Sequence, residues 1–266
     1  MLALDFVQAS DFGRVRDNNE DYLGCVLPAD PEQEHSHGWL FALADGVGGQ
    51  DRGEVASSTA VETLLAGFRQ AARGEQLRSL LPRLIQAANS KVFETGLASA
   101  PGGVRMATTL VACALRFDRV VVSHVGDSRC YLIRRGDATA LTRDHTVVAE
   151  QVSLGLISAR EAAEAENRHI LTRSLGNAMF VNVDTSEHLI VKGDVLVLCS
   201  DGLHGAVADA EMADIVTRNT DLNAAARELI NAANERDGSD NISMQLIRVG
   251  SVERVGMYRG RPYKLA

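Results

Sequence analysis

Three short apolar runs each stop on an aspartate: WLFALA before Asp45, VVVSHVG before Asp127 and DVLVLCS before Asp201. A fourth run, NISMQLI, begins directly after Asp240. Runs this short and this apolar are too brief for helices and read as buried strands. Their connections are tight. TTLVACALRF and VVVSHVG flank a turn at Asp118-Arg119, and CYLIRR and ATALT flank Gly136-Asp137, two hairpin signals. Strands joined by hairpins pair antiparallel. Helical periodicity predicts helices over 52–73 and 76–98, the second beginning or kinking at Pro82, and over 145–166, 209–217 and 221–235. The polar stretch PADPEQEHSHG reads as a loop. Strands and helices in this order predict an α+β layered fold. With no break in composition, residues 1–249 read as one domain, followed by a basic tail, 250–266.

Composition narrows the function. The 266 residues carry 35 acidic against 27 basic side chains, a net charge of -8, which argues against nucleic acid or an anionic membrane as partner. No apolar run approaches the ~20 residues needed to span a bilayer, and MLALDFVQAS has no basic region before an apolar core, so a cytoplasmic location and a monomer are expected. The four cysteines form no CxxC pair and read as reduced core thiols.

The aspartates carry the chemistry. Strand ends on one side of a sheet can converge, and carboxylates gathered at one point repel each other and call for cations. Oxygen donors of this kind suit magnesium, calcium and manganese. Asp45 and Asp201 are each followed by glycine, expected to adopt an unusual backbone angle that turns its carbonyl toward an ion. A single Asp-Gly is an ordinary turn dipeptide. Four matching strand ends point instead to a site.

In chain order, GRVRDNNED, ADGVGG, ATTLVACAL, VGDSRCYLIRRG, LTRDHT, LTRSLG, CSDGL and SDNIS resemble the metal-dependent protein phosphatases, the type-2C serine/threonine class, in its bacterial branch. The resemblance spans residue 13 to about 247. It implies a four-layer αββα sandwich, two mostly antiparallel sheets flanked by helices. It also implies hydrolysis of phosphoserine and phosphothreonine in proteins by a metal-activated water, reversing a serine/threonine kinase. Two tightly bound manganese or magnesium ions and a third, weaker one are implied. By resemblance, Asp45 bridges two ions, the Gly46 carbonyl binds one, and Asp201 and Asp240 complete the second. Asp21 holds an ion through water with Glu20 behind it, and Asp127 serves the third site. Arg16 grips the substrate phosphate, and Asn241 supports the Asp240 loop. Val47 stands where many relatives carry a histidine proposed as general acid. The segment AEAENRH before LTRSLG lacks the His-Pro of relatives, so the 145–166 flap departs from the pattern.

Two other readings are open at this stage. A phosphoprotein-binding member without catalysis would have lost a metal aspartate, yet Asp21, Asp45, Asp127, Asp201 and Asp240 are all present. A phosphatase for a small phosphorylated molecule would use the same metal site, because that site reads phosphate and not the leaving group. The tail reads as a frayed terminus, with Tyr258, Arg259, Arg261 and Tyr263 as the residues that would dock a partner.

Overall fold

The computed structural model describes residues 1–47, 52–99, 103–258 and 261–264. Gly48 and Gly49 of ADGVGG and Arg259 of the tail lie outside the described residues. In chain order the elements are β1 (Ala3–Asp11), β2 (Asp21–Val26), α1 (Pro31–Ser36), β3 (Trp39–Asp45), α2 (Gly53–Arg69) and α3 (Leu77–Ala98). Next come β4 (Leu110–Arg116), β5 (Arg119–Val125), β6 (Arg129–Arg134), β7 (Asp137–Ala140), α4 (Val147–Ser153) and α5 (Ala159–Glu164). The chain continues through β8 (Asp184–Leu189), β9 (Val195–Cys199), α6 (Asp201–His204), α7 (Asp209–Arg218), α8 (Leu222–Arg236), β10 (Ile242–Ser251), β11 (Val255–Tyr258) and β12 (Arg261–Lys264).

Two five-stranded sheets, β1-β10-β9-β6-β7 and β2-β3-β4-β5-β8, are antiparallel throughout. The residues of β3 explain why its sequence is apolar without alternation. Phe41 and Leu43 face the other sheet, packing with Leu196, Leu198 and Ile247. Leu40, Ala42 and Ala44 face α2 and α3, packing with Val61, Leu64 and Leu81. A strand covered on both faces has no polar side to show. The Phe6 and Phe41 rings meet edge to face at 5.1 Å between the sheets. On the outer face of the first sheet, Leu229, Ala225 and Met212 from α8 and α7 cover Val197 and Met244. Helices, sheet, sheet and helices are therefore the four layers, as the resemblance implies.

Both hairpin turns are present. The β6–β7 turn is Arg135-Gly136, one residue earlier than the expected Gly136-Asp137; both take positive φ (57° and 87°) between Arg134 and Asp137, the twist that a two-residue hairpin needs. The β4–β5 turn is Phe117-Asp118, with Phe117 at φ 62°, one residue earlier than expected.

Several expectations need correction. The loop before β3 holds a helix: the Asp30 side chain accepts the Gln33 N–H at 2.8 Å, Pro31 starts α1, and the Gln33 side chain accepts the Ala29 N–H. This reciprocal cap was legible in DPEQ. α3 begins at Leu77 and runs through Pro82, because buried Leu77, Leu80 and Leu81 hold the turn where proline withholds its hydrogen bond. The 145–166 segment is two short helices, each capped at its start by Thr146 or Ser158. Strand β10 runs two residues past 249, and the tail pairs with itself, Val255 opposite Lys264, instead of fraying.

Candidate metal centre

The antiparallel register brings the predicted aspartates to one end of the sandwich. β2 pairs with β3 so that Asp21 lies opposite Asp45. The Asp45 N–H and C=O are both held by the strand that follows: Thr109 Oγ1 accepts at 3.0 Å, while Thr109 N–H and Thr108 Oγ1 donate to the carbonyl, each at 2.8 Å. β5 returns to the same end and delivers Asp127. β9 ends there as well, so Asp201 opens α6 beside the start of β10, where Asp240 stands. A cleft of about 440 Å³ is lined by Asp45, Asp127, Asp201, Asp240, Arg16 and Gly46.

Asp21 sits behind the cleft. Its Oδ2 accepts from the buried Ser200 hydroxyl at 2.9 Å, and its Oδ1 is buried without a hydrogen-bond donor. Burial, with the negative field of Asp201 and Asp240, pushes its carboxyl up to about 7 against the hydrogen bonds from Ser243 and Ser200. Asp45 is driven well above the carboxylate range by burial and then by Asp21, Asp201, Asp127 and Asp240. Asp127 is pushed up to about 7 by burial and by Asp201 and Asp144. Burial acts most strongly on Asp201 as well, but the nearby imidazoles of His169 and His204 and a hydrogen bond from Asp45 together outweigh it and lower that carboxyl. Carboxylates this crowded are stable as anions only beside positive charge. An all-oxygen donor set with an orphaned Asp21 oxygen fits a hard divalent cation.

Asn241 binds the site together. Its side-chain amide donates to the carbonyls of Phe12 (3.1 Å) and Asn18 (2.9 Å), and its Oδ1 accepts the Glu20 N–H at 2.8 Å. Its own N–H donates to Asp240 Oδ1 at 2.9 Å. The Glu20 carbonyl in turn accepts the Gly46 N–H at 3.0 Å. Arg16 pairs with Asp240, Nη2 to Oδ2 at 2.9 Å, at the open mouth of the cleft.

The glycines serve a different purpose from the one expected. Neither Gly46 nor Gly202 has positive φ. A Cβ on Gly46 would meet the Gly53 backbone at 2.5 Å, and one on Gly202 would meet the Asn241 carbonyl oxygen at 2.1 Å. Close backbone approach, not an unusual angle, excludes a side chain at both positions.

Sequence reasoning missed four residues. His204 donates from Nε2 to the Asp127 carbonyl at 3.0 Å, and burial lowers it to about 4, so it is neutral. Arg168 and His169 reach the cleft from the flap, with His169 Nδ1 3.6 Å from Asp201 Oδ2. Their one signal was position, directly before LTRSLG. Arg129 of GDSR grips Asp144 of RDHT through two hydrogen bonds of 2.8 and 2.7 Å, tying two motifs across the edge of the cleft.

His124, His145 and Asp184 also place three donor atoms near one another. The two imidazoles stack at 4.7 Å with only 16° between their planes, so their in-plane lone pairs do not converge on one ion. His145 Nδ1 accepts the Gly126 N–H at 3.1 Å, which fixes the loop just before Asp127. The cluster is a strut for Asp127.

Comparison with known proteins identifies the family. The protein phosphatase 2C family profile matches residues 15–246. The serine/threonine phosphatase stp of Listeria innocua is 35% identical over 257 residues, covering 95% of this chain and 96% of that protein. The solved serine/threonine phosphatase of S. agalactiae superposes with a TM-score of 0.84 at 34% identity, covering 93% of this chain and all of that one. The catalytic domain of the phosphatase PstP, solved in complex with two manganese ions, gives 0.79 at 31% identity over 94% of this chain and all of that one. The chain belongs to the protein phosphatase 2C family. It is a serine/threonine protein phosphatase of the bacterial branch.

Proposed function

We propose that this chain hydrolyses phosphoserine and phosphothreonine monoesters in proteins at a divalent-metal centre and reverses a serine/threonine kinase. The observation that carries the reading is the cleft itself: four carboxylates and Arg16 converge there, and Asp21 waits behind with an unpartnered buried oxygen. Asp45, the Gly46 carbonyl, Asp201 and Asp240 would hold two ions, Asp21 would act through water, and Asp127 would serve a third. Bound manganese or magnesium supplies charge neutralisation and a more acidic water; the manganese-bound PstP domain favours manganese.

The remaining work falls to this chain's own residues. Arg16 presents a planar fork to two phosphate oxygens and shares its charge with Asp240. Asn241 and Glu20 keep the Arg16 loop, Asp240 and Gly46 in register. No cysteine lines the cleft among the described residues; Cys113, Cys130 and Cys199 are buried, and burial pushes their thiols up, Cys199 to about 12. With the cleft carboxylates taken as metal ligands and no thiol at hand, we read the attacking group as water, without a covalent phosphoenzyme. Val47 lines the cleft and has no proton to give.

Residues 1–249 act as one catalytic domain, since the first strand pairs along its whole length with β10 from the far end of the chain. Among the described residues no helix is long and apolar enough to cross a membrane, and we place the enzyme in the cytoplasm as a monomer. The test is release of phosphate from a phosphothreonine peptide by purified protein treated with EDTA and then given manganese or magnesium. Activity lost with EDTA and restored by manganese is the expected result. Activity indifferent to both would refute the metal centre.

A further inference from the structure

The acidic cleft does not end at its metal-binding carboxylates. Beside it, under α4 and α5, lies a second cavity of about 900 Å³. The two share Asp127, Asp201, Gly205, Arg168 and His169, so a chain bound in the cleft has an open way into the cavity. The flap leaves the core at Thr146 and returns at Leu171, where the two residues pair as a bridge. The cavity is therefore roofed by an element anchored at both ends.

Its walls are of two kinds. Val148, Ala149, Val152 and Ala162 of the flap face Ala140 of β7 across an apolar space. Arg143 and Arg168 also line it, and neither makes an ion pair among the described residues. The third guanidinium there, Arg129, is already committed to Asp144. Of the carboxylates that line the cavity, Asp144 is taken by Arg129, and Asp127 and Asp201 belong equally to the metal-binding cleft, so Arg143, whose one hydrogen bond is a 3.4 Å contact to the Ala149 carbonyl, and Arg168 leave positive charge beside an apolar wall.

We infer that this cavity seats the substrate polypeptide next to the phosphorylated residue, taking an apolar side chain with an acidic neighbour. The inference rests on the phosphatase reading above and adds to it a sequence preference. An extended polypeptide advances ~3.3 Å per residue, so side chains roughly two to four places from the phosphoresidue are the ones that reach the cavity. A further groove of about 540 Å³ shares Val47, Leu171 and His169 with the cleft and gives the remaining chain a path out.

The experiment uses the full chain with manganese. Phosphothreonine peptides with Leu and Glu roughly two to four places from the phosphoresidue, on either side, are compared with the same peptides carrying Ala there. A small aryl ester, p-nitrophenyl phosphate, serves as the substrate too short to enter the cavity. The parent is expected to prefer the Leu/Glu peptide by at least about tenfold in kcat/KM, the effect of burying one such side chain. Val152→Glu on the flap wall and Ala140→Trp on the core wall should each erase that preference and leave kinetics on the aryl ester within about twofold. Arg143→Ala should remove the part due to Glu alone. A parent indifferent to neighbouring residues overturns the inference while leaving the phosphatase reading intact. Equal losses on peptide and aryl ester in both wall variants overturn it too, because they mark a flap that only supports the catalytic cleft. A parent that cleaves the aryl ester and no phosphopeptide overturns the protein-phosphatase reading itself, and this inference with it.

Discussion

Replacing Asp127 by Asn tests the electrostatic account most directly. The Asp127 carboxyl is 7% exposed and is pushed up to about 7, first by burial and then by Asp201 and Asp144. In the unfolded chain the same group ionises near ~3.9. Between those two values the metal-free folded protein retains a proton that the unfolded chain has lost. Folding stability therefore falls as pH rises through this window, and below about 4 the two states do not differ. At ~1.36 kcal/mol per pH unit the full penalty is roughly 4 kcal/mol, present from about pH 7 upward. Asp127→Asn keeps the shape and removes the charge. In EDTA the variant should match the parent near pH 4 and exceed it by about 2–4 kcal/mol at pH 7.5, where the parent melts roughly 10 °C lower. The comparison must be a difference between parent and variant, because His204 titrates in the opposite sense. Its value is lowered to about 4 by burial, so its contribution is lost as pH falls below ~6.5 and acts equally in both proteins. Chemical unfolding at a series of pH values measures the difference. Saturating manganese should shrink or reverse it at pH 7.5, since the parent gains ion contacts that the variant lacks. Parallel pH profiles for parent and variant in EDTA would show that Asp127 is not held in a crowded, charge-poor site.

Three further outcomes are expected. Asp45→Asn should lower kcat by at least ~10³-fold with the fold intact by circular dichroism, because the carboxylate that Asp21, Asp127, Asp201 and Asp240 all surround loses its charge; near-parental turnover would remove it from the centre. Arg16→Ala should raise KM for phosphopeptides by about tenfold or more with a smaller change in kcat, read from steady-state kinetics. Asp144→Ala should destabilise the chain by about 3–5 kcal/mol in urea unfolding, since it strands the partly buried Arg129 guanidinium without its two-bonded partner.

Much of this protein was legible without coordinates. WLFALA, VVVSHVG and DVLVLCS read as buried strands because each is covered on both faces, and their terminal aspartates had to lie at strand ends. Hairpin turns made the sheets antiparallel, and antiparallel order is what returns β3, β5 and β9 to one end. The cleft residues Asp45, Asp127, Asp201 and Asp240 were thus named from their strand ends, and Arg16 from the family resemblance. The misses have local causes. The α1 cap in DPEQ was outweighed by proline and glycine content, and Pro82 was given more weight than the buried leucines around it.

Spatial closeness without sequence closeness was beyond reach. His204 stands 77 residues from the Asp127 carbonyl it holds, and Asn241 stands 221 from the Glu20 amide it accepts. No periodicity encodes such pairs, because they arise only when two sheets have packed face to face. The glycines show the same division. Their presence after Asp45 and Asp201 was plain in the sequence, while their reason lay in the Gly53 backbone and the Asn241 carbonyl pressing against them. Residue types and strand ends therefore determined which groups the site contains. Tertiary packing decided how each is held and charged, and which cavity opens beside them, because burial and mutual repulsion exist only once the chain has folded.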